Sequence, residues 1–416
     1  MSRLSYFAVA TALSLTACGY KGTDTKRDDQ QPAASSTVAQ AGPAPAWSDD
    51  PMASHDPSGN APADPAAADD KPRPLMQAQV VLDRLGFTPG VVDGKDGLST
   101  KNAVKAFQQA NNLTQSGELD DATRQALGQW SNIPATRVVT IPADFAAGPF
   151  YKTPKEPADQ AKMPALSYAS LDEKLAERFH TTVAVLKELN PGGVPAGMST
   201  PASASPSASP TPTTTPTPTP SASSSGAAFT PEPGPPSFFH ANQQIRVPNV
   251  GADRIDSGAV EDASWLTTLK MLGVGTGQPK ADKIVVDKSA GTLLAYDAGG
   301  KIVAAFTATM GSTHDPLPLG DWKILTVSKN PPFHYNPDLF WDAKATDKKA
   351  TLPPGPNGPV GVVWIDLSKE HYGIHGTPNP ETIGRAESHG CVRLTNWDAA
   401  RLAQMVSSST KVSFVA

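Results

Sequence analysis

Cysteine is almost absent from this chain: its 416 residues contain Cys18 and Cys391 and no others. Cys18 lies in a leader, so no structural disulfide is expected inside a folded domain, and Cys391 is left as a single thiol. An excess of basic charge is absent too. The 35 Lys and Arg against 40 Asp and Glu leave a formal charge of −5, which offers no basic stripe for nucleic acid. No apolar run is long enough to cross a bilayer as a helix, which takes about 20 residues. Proline, by contrast, is plentiful. Its 42 residues crowd into two stretches poor in large apolar side chains, so the foldable chain is shorter than its length suggests.

The N-terminus has the pattern of an export signal: Arg3, then a short apolar core from Leu4 to Leu15. It ends on Leu15-Thr16-Ala17-Cys18, which resembles the bacterial lipobox. That resemblance implies that residues 1–18 are a lipoprotein signal peptide and that Cys18 carries the lipid. The implied location is the cell envelope, lipid-anchored and facing the periplasm, with Gly19 favouring the outer membrane in a Gram-negative host. Residues 19–72 are rich in Ala, Pro, Asp, Ser and Gln. They cannot bury enough to offset their ordering entropy and are expected to form a disordered tether.

Residues 73–130 change character. Leu75, Ala78, Leu82 and Leu85 recur at helical spacing up to Gly86, and Ala103, Val104, Phe107 and Ala110 mark a second helix. A third begins at Asp120, a suitable cap. This small α-helical bundle, with its Asp-Gly turn and Phe-Gln pair, resembles the peptidoglycan-binding domain type 1, which implies peptidoglycan as a partner. Leu171, Leu175, Phe179, Val183, Leu186 and Leu189 form another helical passage. With a closing strand expected near 241–248, residues 166–250 resemble a LysM module interrupted by a Pro/Ser/Thr-rich insert at 200–236. A plain helical hairpin acting as a spacer is the alternative.

From about residue 280 to 416 the pattern is that of strands. Lys283–Asp287, Thr292–Asp297, Ile302–Thr309, Trp322–Val327 and Gly361–Asp366 are short β-rich runs, and Ala298-Gly299-Gly300 suits a hairpin turn. One late helix is expected from Thr395, with Asp398 completing a capping box and Ala399, Leu402, Ala403 and Val406 buried. The expected fold class is therefore multidomain: a mainly β domain with a late helix, preceded by a small α-helical bundle.

The chemistry-bearing residues cluster late, in His375-Gly376-Thr377 and in SHGCVRL at 388–394. A cysteine attacks as its thiolate, favoured by neighbouring cations, proton acceptors and backbone donors. His375, His389 and Arg393 are candidates for that setting. Gly390 permits a tight bend, so that the amides of Gly390 and Cys391 could face a developing oxyanion. Three duller readings compete. Cys391 could be a buried structural thiol. His371, His375 and His389 could bind zinc, although residues four apart on a strand stand about 13 Å apart. His389 could simply hydrogen-bond within its loop.

Residues 282–415 resemble the catalytic domain of the L,D-transpeptidases (the YkuD family), on KIVVDKSAGTLLAYD, Pro318-Leu319-Gly320, PPGPNGPVG at 353–361, His375-Gly376 and SHGCVRL. The resemblance implies a β-sandwich with Cys391 as nucleophile and His375 as general base. Gly376 would orient the imidazole, Gly390 and His389 would serve the oxyanion pocket, and Arg393 and Ser388 would meet substrate. No cofactor or metal is required. The implied reaction attaches a peptidoglycan stem peptide to a second stem, or to a lipoprotein acceptor, through a thioester. An L,D-carboxypeptidase and a non-catalytic wall-binding lipoprotein are the alternatives. Two departures bear on substrate preference: a slightly short stretch between His375 and Ser388, and Leu317 where the family carries threonine. Papain-like enzymes place cysteine before histidine, and the sortase threonine-x-threonine-cysteine strand is absent.

Overall fold

The computed structural model describes residues 69–198, 229–250 and 255–416, which all fall within one compact unit. Cys18, the leader, the tether up to residue 68 and the tract 199–228 lie outside the described residues. The first module follows its sequence signals closely. Helix α1 (Pro74–Arg84) starts on proline, whose fixed φ suits a first turn, and Gly86 at φ +85° ends the passage. A two-residue strand β1 (Phe87–Thr88) leads to α2 (Leu98–Ala110) and α3 (Asp121–Leu127). Asp120 caps α3 by accepting from the Thr123 amide at 2.9 Å.

The middle of the chain builds a strand–helix–helix–strand unit. Strand β2 (Thr136–Thr140) is followed by the short helices α4 (Ala143–Ala146) and α5 (Pro157–Gln160). Helices α6 (Leu171–Arg178) and α7 (Val183–Leu189) come next, capped by Ser170 and Thr182. Strand β3 (Gln244–Pro248) then pairs antiparallel with β2, Thr136 opposite Pro248 and Thr140 opposite Gln244. The closing strand falls where the sequence puts it. The opening strand β2 carries no turn signal of its own, and its partner lies beyond the proline-rich tract. Helix α8 (Ala263–Leu272) was not anticipated either. Its signals are present all the same: Asp262 caps it, and Gly273 ends it in the left-handed region at φ +67°.

The last module is mainly β. In chain order it comprises β4 (Lys283–Asp287), β5 (Thr292–Tyr296), β6 (Ile302–Thr307), β7 (Thr309–Met310) and β8 (Gly320–Lys329). Then follow β9 (Phe333–Tyr335), β10 (Ala350–Leu352), β11 (Val363–Leu367), β12 (Gly373–His375) and β13 (Val392–Arg393). Helix α9 (Asn396–Met405) and strand β14 (Lys411–Val415) complete it. The strand order is β1-β6-β5-β4-β14-β8-β11-β12-β13-β7. The long strand β8 serves both halves, pairing with β14 through Gly320–Lys323 and with β11 through Ile324–Lys329. Val286 and Leu293 from one half pack in a single apolar core with Ile365, Ile374 and Val392 from the other, together with Trp397 and Leu402 of α9.

The modules are packed together. Strand β1 adds in parallel to β6, Phe87 opposite Ala305, so the small bundle extends the sheet of the last module. Asp83 of α1 receives Arg401 of α9 in a two-pronged contact at 3.0 and 3.1 Å, with both side chains buried. His180, just past α6, faces the same carboxylate at 3.3 Å and stacks on Trp397, ring centroids 4.9 Å apart. The helical passage that ends at His180 therefore packs against both flanking modules.

Candidate active site

Strands β12 and β13 run parallel, with Ile374 opposite Val392 and His375 opposite Arg393. That pairing brings together two motifs separated in sequence and sets Cys391 at the mouth of β13, beside the strand that carries His375. The local chain can fold this way only with glycine at two points. A Cβ on Gly373 would come within 2.6 Å of the Trp364 ring, and Gly390 sits at φ +91° where a Cβ would meet Tyr372.

His375 is buried, and its ring lies over Trp364 with centroids 5.5 Å apart. Its Nδ1 is 2.7 Å from the Gly376 carbonyl. A carbonyl can only accept, so Nδ1 carries the proton and Nε2 keeps a lone pair. Burial lowers the imidazole pKa to about 4, and the Arg393 guanidinium adds to the effect against the upward pull of the Gly376 carbonyl. At neutral pH the ring is an uncharged base.

Cys391 is half-buried, its thiol 3.7 Å from the His371 carbonyl. Burial pushes the thiol pKa up, opposed by the Gly373 backbone and by Arg393. The resting pair is thus neutral thiol and neutral imidazole. Arg393 is bonded loosely, its Nη1 3.4 Å from the Glu387 carbonyl.

Two residues differ from their expected settings. Ser388, anticipated at the substrate, is buried. Its hydroxyl donates to the Cys391 carbonyl at 2.6 Å and accepts from the Gly311 amide at 2.7 Å, so both bonding directions are spent on the loop that carries the thiol. His389, anticipated at the oxyanion pocket, bonds instead to Asp342 at 2.9 Å and rests against Phe340 and Trp341. His371 stands in a turn at φ +67°, with Glu370 3.6 Å away. Among the described residues no group of His, Cys, Asp and Glu side chains is arranged to hold a metal ion.

The sequence reading missed an aromatic rim. The long loop between the paired strands β9 and β10 carries Phe340, Trp341 and Asp342, and Trp341 is 59% exposed and stacked on His314 at 4.4 Å. The hairpin is braced from the middle module, where Met163 and Leu166 pack with Leu352, and the Leu166 amide donates to the Pro354 carbonyl at 3.0 Å. In the sequence only the run Phe340-Trp341-Asp342, two aromatics beside a charge, hinted at a rim.

Residues 281–413 match the model of the YkuD L,D-transpeptidase catalytic domain, and residues 74–127 match the model described as "Putative peptidoglycan binding domain". "Putative L,D-transpeptidase YkuD" of Bacillus licheniformis is 55% identical over 60 residues, which is 14% of this chain and 36% of that protein. "Probable L,D-transpeptidase YbiS" of Escherichia coli is 26% identical over 197 residues, 42% of this chain and 64% of the relative. "Putative L,D-transpeptidase in ATP synthase subunits region ORF 5" of Fuscovulum blasticum is 30% identical over 132 residues, 32% of this chain and 68% of the relative. The chain spans about a third of the length of the two Bacillus YkuD relatives. Among solved structures, "L,D-transpeptidase from Mycobacterium smegmatis" aligns at 23% identity and TM-score 0.27, covering 33% of this chain and 59% of its own. The parallel pairing of β12 with β13 thus lies inside a domain whose family is recognised independently, and the chain belongs to the YkuD L,D-transpeptidase family.

Proposed function

We propose that the chain is an L,D-transpeptidase acting on peptidoglycan stem peptides, with Cys391 as nucleophile and His375 as general base. One observation carries this reading: a buried, uncharged imidazole tied through Nδ1 to a backbone carbonyl, on the strand beside the one that starts at a half-buried thiol. Such a base does not need a preformed thiolate. As Cys391 Sγ attacks the carbonyl of the third stem residue, a diamino acid, its proton passes to His375 Nε2. The oxyanion is held by the backbone amides of Gly390 and Cys391. Collapse breaks the amide bond to the terminal D-alanine, which leaves with the proton from His375, and a thioester remains on Cys391.

An acceptor amine then attacks the thioester and loses its proton to His375, which returns it to the departing thiol. Arg393 is the cation available to a substrate carboxylate. The N-terminal and middle modules hold the polymer near the cleft and raise the effective substrate concentration. Lipid on Cys18 would keep the enzyme at the envelope membrane with its modules facing the wall.

The test is product analysis of the full chain incubated with a disaccharide tetrapeptide, with and without a second stem as acceptor. Release of D-alanine with a cross-linked dimer supports the transpeptidase. D-alanine without dimer, even with excess acceptor, points to a carboxypeptidase. Retention on purified sacculi with neither product contradicts an enzyme on this substrate and leaves a wall-binding protein.

A further inference from the structure

The catalytic histidine is positioned from outside its own domain. We infer that Glu177 of α6 and Asn396 of α9 are positioning residues for His375, through the Gly376 peptide whose carbonyl accepts from His375 Nδ1. The inference rests on the proposed role of His375 as base.

Asn396 is fully buried, and each polar atom of its amide is engaged. Its Nδ2 donates to Glu177 Oε1 at 2.7 Å and to the Pro356 carbonyl at 3.1 Å, while Oδ1 accepts from the Val362 amide at 3.2 Å. The same Oδ1 lies in the space that side chains on Gly361 and Gly376 would occupy, since a Cβ on either glycine would overlap it. The asparagine amide is thus wedged between the two glycine backbones. Gly376 is held on its other side by its amide, which donates to the Val363 carbonyl at 3.4 Å. Held at its amide and packed against Asn396 and Gly361, Gly376 keeps the carbonyl of the peptide that follows it 2.7 Å from His375 Nδ1, which selects the tautomer with a free Nε2.

Pro356 and Val362 of the catalytic domain make two of the three bonds to the Asn396 amide; the third and shortest goes to Glu177, which belongs to the middle module. Glu177 is buried in turn, its Oε2 accepting from Tyr168 at 2.6 Å. The line Glu177–Asn396–Gly376–His375 therefore ties the tautomer of the base to a contact made by the middle module. If the link fails, the Gly376 carbonyl can tilt and Nδ1 loses its preferred acceptor. Outer partners of functional histidines commonly change activity by about 10–100-fold when removed.

The test uses the full chain labelled with 15N-histidine, comparing wild type with Glu177→Ala, Glu177→Gln, Asn396→Ala and Tyr168→Phe. His375 is identified by its loss in His375→Ala. In wild type at neutral pH it should show the single Nδ1–H tautomer. Glu177→Ala and Asn396→Ala should mix the tautomers and lower kcat about tenfold or more, with KM little changed. Glu177→Gln keeps an acceptor for Asn396 and should stay within about twofold of wild type. Tyr168→Phe disturbs the same interface without touching Asn396 and should leave the His375 signals in place.

If Glu177→Ala does not fold, Asn396→Asp carries the test, because it replaces the donor to Glu177 by an acceptor of the same shape. Unchanged His375 signals and kcat in the folded variants would overturn the inference. So would Tyr168→Phe shifting the tautomer as much as Glu177→Ala. The spectrum is read without substrate, so absence of transpeptidation in wild type would sink the proposed function and leave the positioning intact.

Discussion

Two buried histidines in this chain each stack on a tryptophan, and what faces their Nδ1 atoms separates their roles. His180 lies over Trp397 with its Nδ1 3.3 Å from the Asp83 carboxylate and its Nε2 3.1 Å from the Leu272 carbonyl. His375 lies over Trp364 with its Nδ1 on the neutral Gly376 carbonyl. Each has an arginine nearby. At the module junction Arg401 is consumed by Asp83; burial alone would raise that carboxyl's pKa, yet Arg401 and His180 hold it well below the usual carboxylate range. Beside Cys391, Arg393 bonds to the Glu387 carbonyl and feels Asp342 only at longer range, and it helps to keep His375 uncharged. A carboxylate partner ties the first histidine into the junction; a neutral carbonyl partner and a nearby cation leave the second uncharged with a free Nε2, the state the proposed base needs.

That contrast can be broken most sharply at the cleft. His375→Gln, which keeps most of the buried volume, should lower the rate of D-alanine release by about 10²–10⁴-fold with a smaller loss of stability than Asp83→Ala. At the junction the reverse is expected. Asp83→Ala removes the carboxylate that Arg401 and His180 share and should cost about 3–5 kcal/mol in denaturant unfolding, with a much smaller effect on D-alanine release by the folded protein than His375→Gln. Equal effects of both variants on both readouts would erase the distinction.

The pH dependence of activity sharpens the cleft side. Since His375 must be uncharged to accept a proton, the acid limb of kcat/KM should fall near pH 4 and not near the 6.5 of an ordinary imidazole. Arg393→Gln removes one of the groups that depress it and should move that limb upward.

A smaller effect belongs to the junction. Burial raises the Glu177 pKa to about 7, against hydrogen bonds from Tyr168 and Asn396 that pull it down. The fold favours the protonated form, so the contribution is fully present below the ordinary value of 4.5 and is lost as pH rises through 7. Glu177→Gln should match wild type near pH 4.5 and unfold a few degrees higher near pH 8, read by calorimetry at both values. No gain at pH 8 would mean that water or a counter-charge reaches the carboxylate.

Much of the architecture was legible because its signals are local. Leu75, Leu82 and Gly86 mark α1, Thr395 and Asp398 mark the start of α9, and β-rich runs mark β4, β5 and β6. The expectation at Cys391 and His375 rests on a different kind of signal: the adjacent Gly390 and Gly376 stand where a side chain would meet Tyr372 or Asn396, which leaves a recognisable pattern. What was hidden depends on distant partners. Strand β2 finds β3 only beyond the proline-rich tract, and β1 finds β6 from another module. Asp83 and Arg401 are 318 residues apart, and neither looks unusual in its own segment. Ser388 read as a polar residue beside the nucleophile, whereas the fold turns its hydroxyl inward to Gly311 and the Cys391 carbonyl. Periodicity reports which face a residue takes, but not which distant segment covers that face.

The central claim is that Cys391 becomes acylated by a stem peptide with loss of D-alanine. The most direct measurement is intact-protein mass spectrometry of the full chain during turnover of a tetrapeptide muropeptide, followed by peptide mapping under acidic conditions that preserve a thioester. The account predicts an added mass equal to the muropeptide less D-alanine, on the peptide that contains Cys391. It also predicts that the adduct is absent in Cys391→Ala and forms slowly in His375→Ala. D-alanine release with no adduct on Cys391, or release that persists in Cys391→Ala, would contradict it.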